Sequence, residues 1–134
     1  MIIRILLGKL KELAYECKQP IIALTSIDIN VEKRLDKIPR LLDINNAKYI
    51  FEYSDKIIVI YSDEFYKEKA ETKKENIIRS KGGKYKNMFI NKPLIFKEII
   101  VLKNSSGQKG KLNVSFNTII GGFIKGEEIK VPVF

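Results

Sequence analysis

The run LKELAYECKQPIIALTSIDINVEKRLDKIPRLLDI, residues 10–44, changes period twice, and those changes decide what the chain can build. Up to Cys17, apolar residues return at helical spacing: Leu6, Leu10, Leu13, Ala14 and Cys17 share a stripe, with Lys9, Lys11, Glu12 and Glu16 on other faces. Pro20 ends that helix, because proline disfavours helical backbone at the residue before it. Residues 21–25, IIALT, then form a short continuous apolar run, the pattern of a strand buried on both faces. Across residues 26–40 the periodicity disappears and Asp28, Asn30, Asp36 and Pro39 enter, which is loop composition. Structureless stretches of that length are uncommon in compact domains and are often functional.

Further along, Asp43 is placed to cap a short helix carrying Ile44, Ala47, Ile50 and Phe51 on one side. Residues 56–61, KIIVIY, read as a second buried strand, followed by an acidic SDE. Residues 67–97 form a basic insert, expected to be solvated and partly mobile in its first half. Three strands finish the chain, at EIIVLK (98–103), KLNVSF (111–116) and near GGFIKGEEIKVPVF. Helices alternating with buried strands, followed by antiparallel strands, predict an α/β sheet with parallel strands and an antiparallel C-terminal edge, in one domain over 1–134.

Composition removes several kinds of chemistry. There is no histidine, so Ser/His and Cys/His nucleophile pairs and His-containing zinc sites are absent. The lone Cys17 can neither form an internal disulfide nor supply a Cys₄ site, and its helical stripe predicts core packing. No apolar run reaches the ~18 residues of a membrane span. A cytoplasmic protein without a membrane partner is the expectation. The net charge of +9 suits a nucleic-acid partner. Ten Lys/Arg against three acids in residues 67–97 account for +7 of that charge. Lysine outnumbers arginine 21 to 4, however, so nucleotide-composition bias can explain part of it.

The quoted run, followed by YSDKIIVIYSDEFY (53–66), resembles the C-terminal RecA-like domain of DnaB-type replicative helicases. In that family the order is L-K-x-L-A-x-E-L-x-V-P-V-I-A-L-S-Q-L, then V-E-x-R-x-D-K-R-P, then D-A-D-V-V and D-E-Y-Y. Residues 10–66 follow it without a gap. EIIVLKNSSGQKGKLNVSF (98–116) falls on the family's K-Q-R-N-G-P-T-G segment, with Lys103, Gly107 and Gly110 in register. Phe116 and Phe123 keep the spacing of two later aromatics. The resemblance implies a P-loop NTPase-type fold and ATP-driven unwinding of duplex DNA at the replication fork by a hexameric ring, with ATP and magnesium as cofactors.

The departures fall where the family does its chemistry. No G-x-x-x-x-G-K-[ST] run occurs, so the resemblance implies a partial RecA-like sheet lacking the phosphate-loop unit. The family's sensor glutamine is Ser26 here, a side chain too short for the same reach. Lys103 is kept but the family's finger arginine is Ser105, and such a finger is worth about 10³ to 10⁵ in rate. The expected nucleotide-binding set, acting in trans, is Lys103, Ser105 and Gly107. The expected DNA-binding set is Asn45, Asn46 and Lys48 from the family's DNA-facing loop. Lys84 and Lys86 of the insert join it on their own composition, with Tyr85 and Phe89 as stacking surfaces. No catalytic or metal-ligating residue is assigned, and no cofactor to this chain alone. The expected partners are single-stranded DNA and helicase subunits or further copies of the chain.

Each of these has a plainer alternative. Segment 98–116 is a phosphate-contacting loop or a hairpin, and Lys103 contacts a neighbour's nucleotide or reaches solvent. Glu32 and Arg34 form an ion pair that orders the loop, or take part in catalysis. Asp63 and Glu64 could pair as carboxylates, but on a strand they would point to opposite sides.

Overall fold

In the computed structural model, which describes residues 2–84 and 94–125, the helix ahead of Pro20 extends to the start of the chain as α1 (Ile2–Cys17). It stops where Lys18 turns left-handed (φ 51°), with Gln19 N–H donating back to the Ala14 carbonyl at 3.1 Å. The chain divides into two compact units, Met1–Val59 with Val101–Gly110, and Ile60–Ile100 with Lys111–Phe134.

In the first unit α1 packs on α2 (Ala47–Tyr53). Arg4 Nε donates to the Tyr53 hydroxyl at 3.3 Å, and Lys11 pairs with Asp55 at 3.0 Å. No described residue of α1 is buried. Cys17 is exposed, which corrects its expected core role: it stands in the last turn of α1, where the stripe is no longer covered, whereas Leu10 and Ala14 further back are half-buried. The core of this unit gathers Val31, Ile44, Ile57 and Val59. The long loop contains two 3₁₀ turns, Ile29–Lys33 and Leu41–Asp43. An isolated antiparallel bridge, Ile27 with Ile44, ties it to the start of α2.

The IIALT strand is not formed. Residues 21–25 have no regular structure, and Ile22 and Leu24 are 87% and 95% exposed. A strand buried on both faces needs hydrogen-bonding neighbours at its sides and layers above and below. The described residues supply neither. The apolar signal is real, but among the described residues nothing covers it.

The sheet lies downstream: β1 (Lys56–Tyr61), β2 (Leu94–Asn104), β3 (Gly110–Asn117) and β4 (Gly122–Lys125), in the order β1-β2-β3-β4. It is an antiparallel meander, so the described strands include no parallel pair. β1 is half-buried rather than buried on both faces, with Ile57 and Val59 inward and Ile58 and Ile60 exposed. In the second unit Ile100 and Val114 are buried, and Phe116 meets Phe123 edge-on across the β3/β4 pair, ring centres 5.1 Å apart.

Residues 67–80, expected to be a solvated and partly mobile charged run, belong to an 18-residue helix, α3 (Asp63–Ser80), which also takes in Asp63 and Glu64. Ser62 caps it, accepting from the Phe65 amide at 3.4 Å and donating to the Phe96 carbonyl at 3.0 Å. Its charges stabilise it along its length: Lys67 with Asp63, Lys74 with Glu71, Arg79 with Glu75. Tyr85, Lys86 and Phe89 lie outside the described residues.

Candidate nucleotide and nucleic-acid interface

Lys103 near the end of β2 and Ser105 and Gly107 in the turn to β3 are exposed or half-exposed, but several polar groups here are bonded within the protein. Lys103 Nζ donates to the Phe51 carbonyl and sits 4.4 Å from the centre of the Phe51 ring, a cation–π contact. The Ser105 amide donates to the Asp55 carbonyl at 2.9 Å. Asn104 closes the turn: its Nδ2 donates to the Gln108 carbonyl at 3.0 Å, and its Oδ1 accepts from the Ser106 amide and hydroxyl. Gly107 allows this closure, because a Cβ there would lie 2.9 Å from Asn104 Nδ2. A phosphate cradle needs amides and an ammonium pointing at open space. Here the Lys103 ammonium and the Ser105 and Ser106 amides are held by the protein itself, and as they stand they do not fit a triphosphate.

Ser26 and the segment of Asn45, Asn46 and Lys48 come together in the same unit. Asn45 Nδ2 donates to Ser26 Oγ at 3.3 Å. Asn46 adopts the left-handed conformation (φ 60°, ψ 31°) and starts α2, where its side chain makes no capping bond. Lys48 follows on that helix, and Asn45, Asn46 and Lys48 are all exposed. Lys84 is exposed beyond the end of α3, in the other unit; Lys86 lies outside the described residues.

The same unit holds an ion pair between Arg34 and Asp43 that the sequence did not reveal. The Arg34 guanidinium bonds both Asp43 oxygens at 2.8 Å and also donates to the carbonyls of Asp36 and Ile38. Asp43, expected to cap the helix, instead accepts from the Arg40 amide at 2.7 Å and closes the second 3₁₀ turn. Arg34 holds the Asp43 carboxyl below the usual carboxylate range, and Asp43 raises Arg34 in return. Asp36 is also lowered, first by the Ile38 amide and then by Arg40. One cue was available, since an acid nine residues from an arginine across a turn-rich loop can close it.

Asp63 and Glu64 diverge, now on the first turn of a helix. Asp63 holds Lys67 and accepts from the Tyr61 hydroxyl, whose pKa is raised first by burial and then by that carboxylate. Glu64 accepts from the Phe96 amide at 2.7 Å. Among the described residues, no three of His, Cys, Asp and Glu gather as a metal site would require.

Residues 3–125 match the family model described as DnaB-like helicase C terminal domain. The chain is 32% identical over 127 residues to the replicative DNA helicase DnaB of Geobacillus stearothermophilus, covering 92% of itself and 23% of that protein. It is 31% identical over 108 residues to the replicative DNA helicase DnaC of Bacillus subtilis (strain 168), covering 81% of itself and 19% of the relative. Among solved structures it resembles an ATPase domain at TM-score 0.67 and 25% identity, with 93% of this chain on 37% of that one. It also resembles a DnaB-like replicative helicase studied with its primase interactions, at TM-score 0.65 and 26% identity, with 90% of this chain on 24% of the other. The chain thus spans about a quarter of the length of the curated relatives. By the extent of the family match and the order of the matched segments, the chain belongs to the DnaB-like helicase C-terminal domain family.

Proposed function

We propose that this chain is a replicative-helicase motor-domain relative that does not hydrolyse ATP by itself and acts in the cytoplasm by binding single-stranded DNA or by joining a helicase ring. The carrying observation is the closed state of the β2–β3 turn: Lys103, the one retained phosphate-directed cation, is held on Phe51, and Ser105 stands in place of the arginine. ATP and magnesium belong to the complete family machine, and no step of that reaction is assigned to residues of this chain. The exposed Asn45, Asn46 and Lys48 offer two amides and an ammonium to a phosphate backbone, contacts that position a strand without reading its sequence.

Purified chain incubated with ATP and magnesium, with and without single-stranded DNA, should release no phosphate above the no-protein control. Turnover by the chain alone would overturn this reading. A second reading has an observation behind it: the uncovered IIALT run favours a chain that contributes to an active helicase once another polypeptide supplies the phosphate loop.

A further inference from the structure

We propose that the groove between α1 and the end of α2 receives a single arginine side chain from a partner polypeptide that is not itself strongly basic. This goes beyond the nucleic-acid reading and does not rest on it, since the groove bears carboxylates and repels a phosphate.

The groove lies wholly within the first unit. Gly8, Lys11, Glu12, Tyr15 and Glu16 of α1 line one side and Tyr53, the last residue of α2, the other, around a volume of about 470 Å³ with a mainly apolar lining. Gly8 keeps it open. A glycine inside a helix weakens that helix, but here its missing side chain leaves room, and a Cβ in its place would already touch the Tyr53 ring at 3.5 Å. Arg4 Nε donates to the Tyr53 hydroxyl at 3.3 Å, so this ring is held before anything binds. Tyr15 stands at the rim with 85% of its surface exposed, and a ring left in water gains from being covered.

Charge selects the occupant. Lys11 is already matched by Asp55 at 3.0 Å. Glu12 and Glu16 are exposed one turn apart on one face of α1 and have no ion-pair partner among the described residues, so the groove offers two unmatched carboxylates in a chain of net +9. A cation on an apolar stem answers each part of this lining, with methylenes on the apolar surface, charge beside the tyrosine rings and N–H groups on the carboxylates. Arginine fits better than lysine, because its planar fork can serve two acceptors while it stacks on a ring. The remainder of the partner is near neutral or acidic, since a polycation would meet the repulsion of the rest of this chain. A second copy fails on that count.

The test titrates the isotope-labelled full chain with the capped tripeptide acetyl-Ala-Arg-Ala-amide, its lysine and citrulline counterparts, and spermidine, followed by amide chemical shifts. Saturable shifts at Glu12, Tyr15, Glu16 and Tyr53 are expected with the arginine peptide. The lysine peptide should bind at least about threefold more weakly, and the planar but uncharged citrulline peptide at least about tenfold more weakly. Glu12→Gln and Glu16→Gln should each weaken arginine binding about twofold to fivefold, and Tyr15→Ala by a similar factor of about two to five. Gly8→Leu, which fills the groove, should abolish it. Glu68→Gln, at an exposed acid on α3, should leave it unchanged. Amide signals away from the substituted position check that each variant keeps its fold. The proposal is overturned by shifts that fail to saturate or that spread over the surface, by equal binding of the lysine or citrulline peptide, or by glutamine variants that bind as the wild type does. Tighter binding of spermidine than of the arginine peptide also overturns it, by making the ligand a free polyamine.

Discussion

Arg34 shows how far one residue can organise a loop that has almost no regular structure. Its guanidinium reaches both Asp43 oxygens and two backbone carbonyls, a planar fork that lysine cannot reproduce. The pair has a pH signature. Asp43 is depressed in the folded chain, so its contribution is complete above the unfolded carboxylate value of about 3.9 and is lost as pH falls through the lower folded value. Asp36 acts with the same sign. Asp43→Asn should therefore lower Tm by about 5 °C at pH 7, from loss of a charge-assisted bidentate bond. That deficit should shrink in melts at acid pH, as pH falls through the depressed folded value of Asp43 and the wild-type carboxylate is itself protonated. An equal deficit at both pH values would assign the loss to shape rather than charge. Arg34 was visible in the sequence as a loop-ordering residue. Its partner was not, because Glu32 is closer along the chain and only the fold brings Asp43 opposite.

At the scale of elements, strands β1, β2 and β3 were legible because β-branched residues and turn glycines agree with the pairing they make. The segment 21–25 was misread because a strand signal reports what side chains need rather than whether neighbours exist to meet it. The helix α3 was missed for the opposite reason: its apolar face is thin, so hydrophobic period gave no cue. Its other cues were present, in Ser62 at the cap, Asp63 and Glu64 in the first turn, and opposite charges three or four residues apart. Ser62 deserves the greater weight of these, since it is buried and serves both the helix start and the Phe96 carbonyl on β2. Ser62→Ala should cost about 1–2 kcal/mol in urea denaturation. Ser62→Thr, which keeps the hydroxyl, should recover most of it. If alanine proves neutral, α3 is held by its ion pairs, and 1 M salt should then weaken it markedly.

For the molecule as a whole, the decisive point is which of the 25 basic groups remain free to meet a phosphate chain, since ion pairs leave the net +9 unchanged. Many of the basic groups are already neutralised: Lys11 by Asp55, Arg34 by Asp43, Arg40 by Asp36, Lys67 by Asp63, Lys111 by Glu98. Charge counts could not reveal this, because they do not say which residues the fold brings opposite one another. Lys48 and Lys84 are exposed and carry no partner among the described residues, so they can release counterions on binding. Affinity for a labelled oligothymidylate should fall linearly in log Kd against log salt, by about 0.7 per phosphate contact. Lys48→Ala and Lys84→Ala should each reduce that slope by about 0.7. Lys67→Ala should change it less, because Asp63 holds that ammonium and raises its pKa. If the three variants shift the slope equally, binding follows net charge alone and the loop ahead of α2 has no special part in it. If Lys48 dominates, the family's DNA-facing loop has kept its place even though its residues have changed.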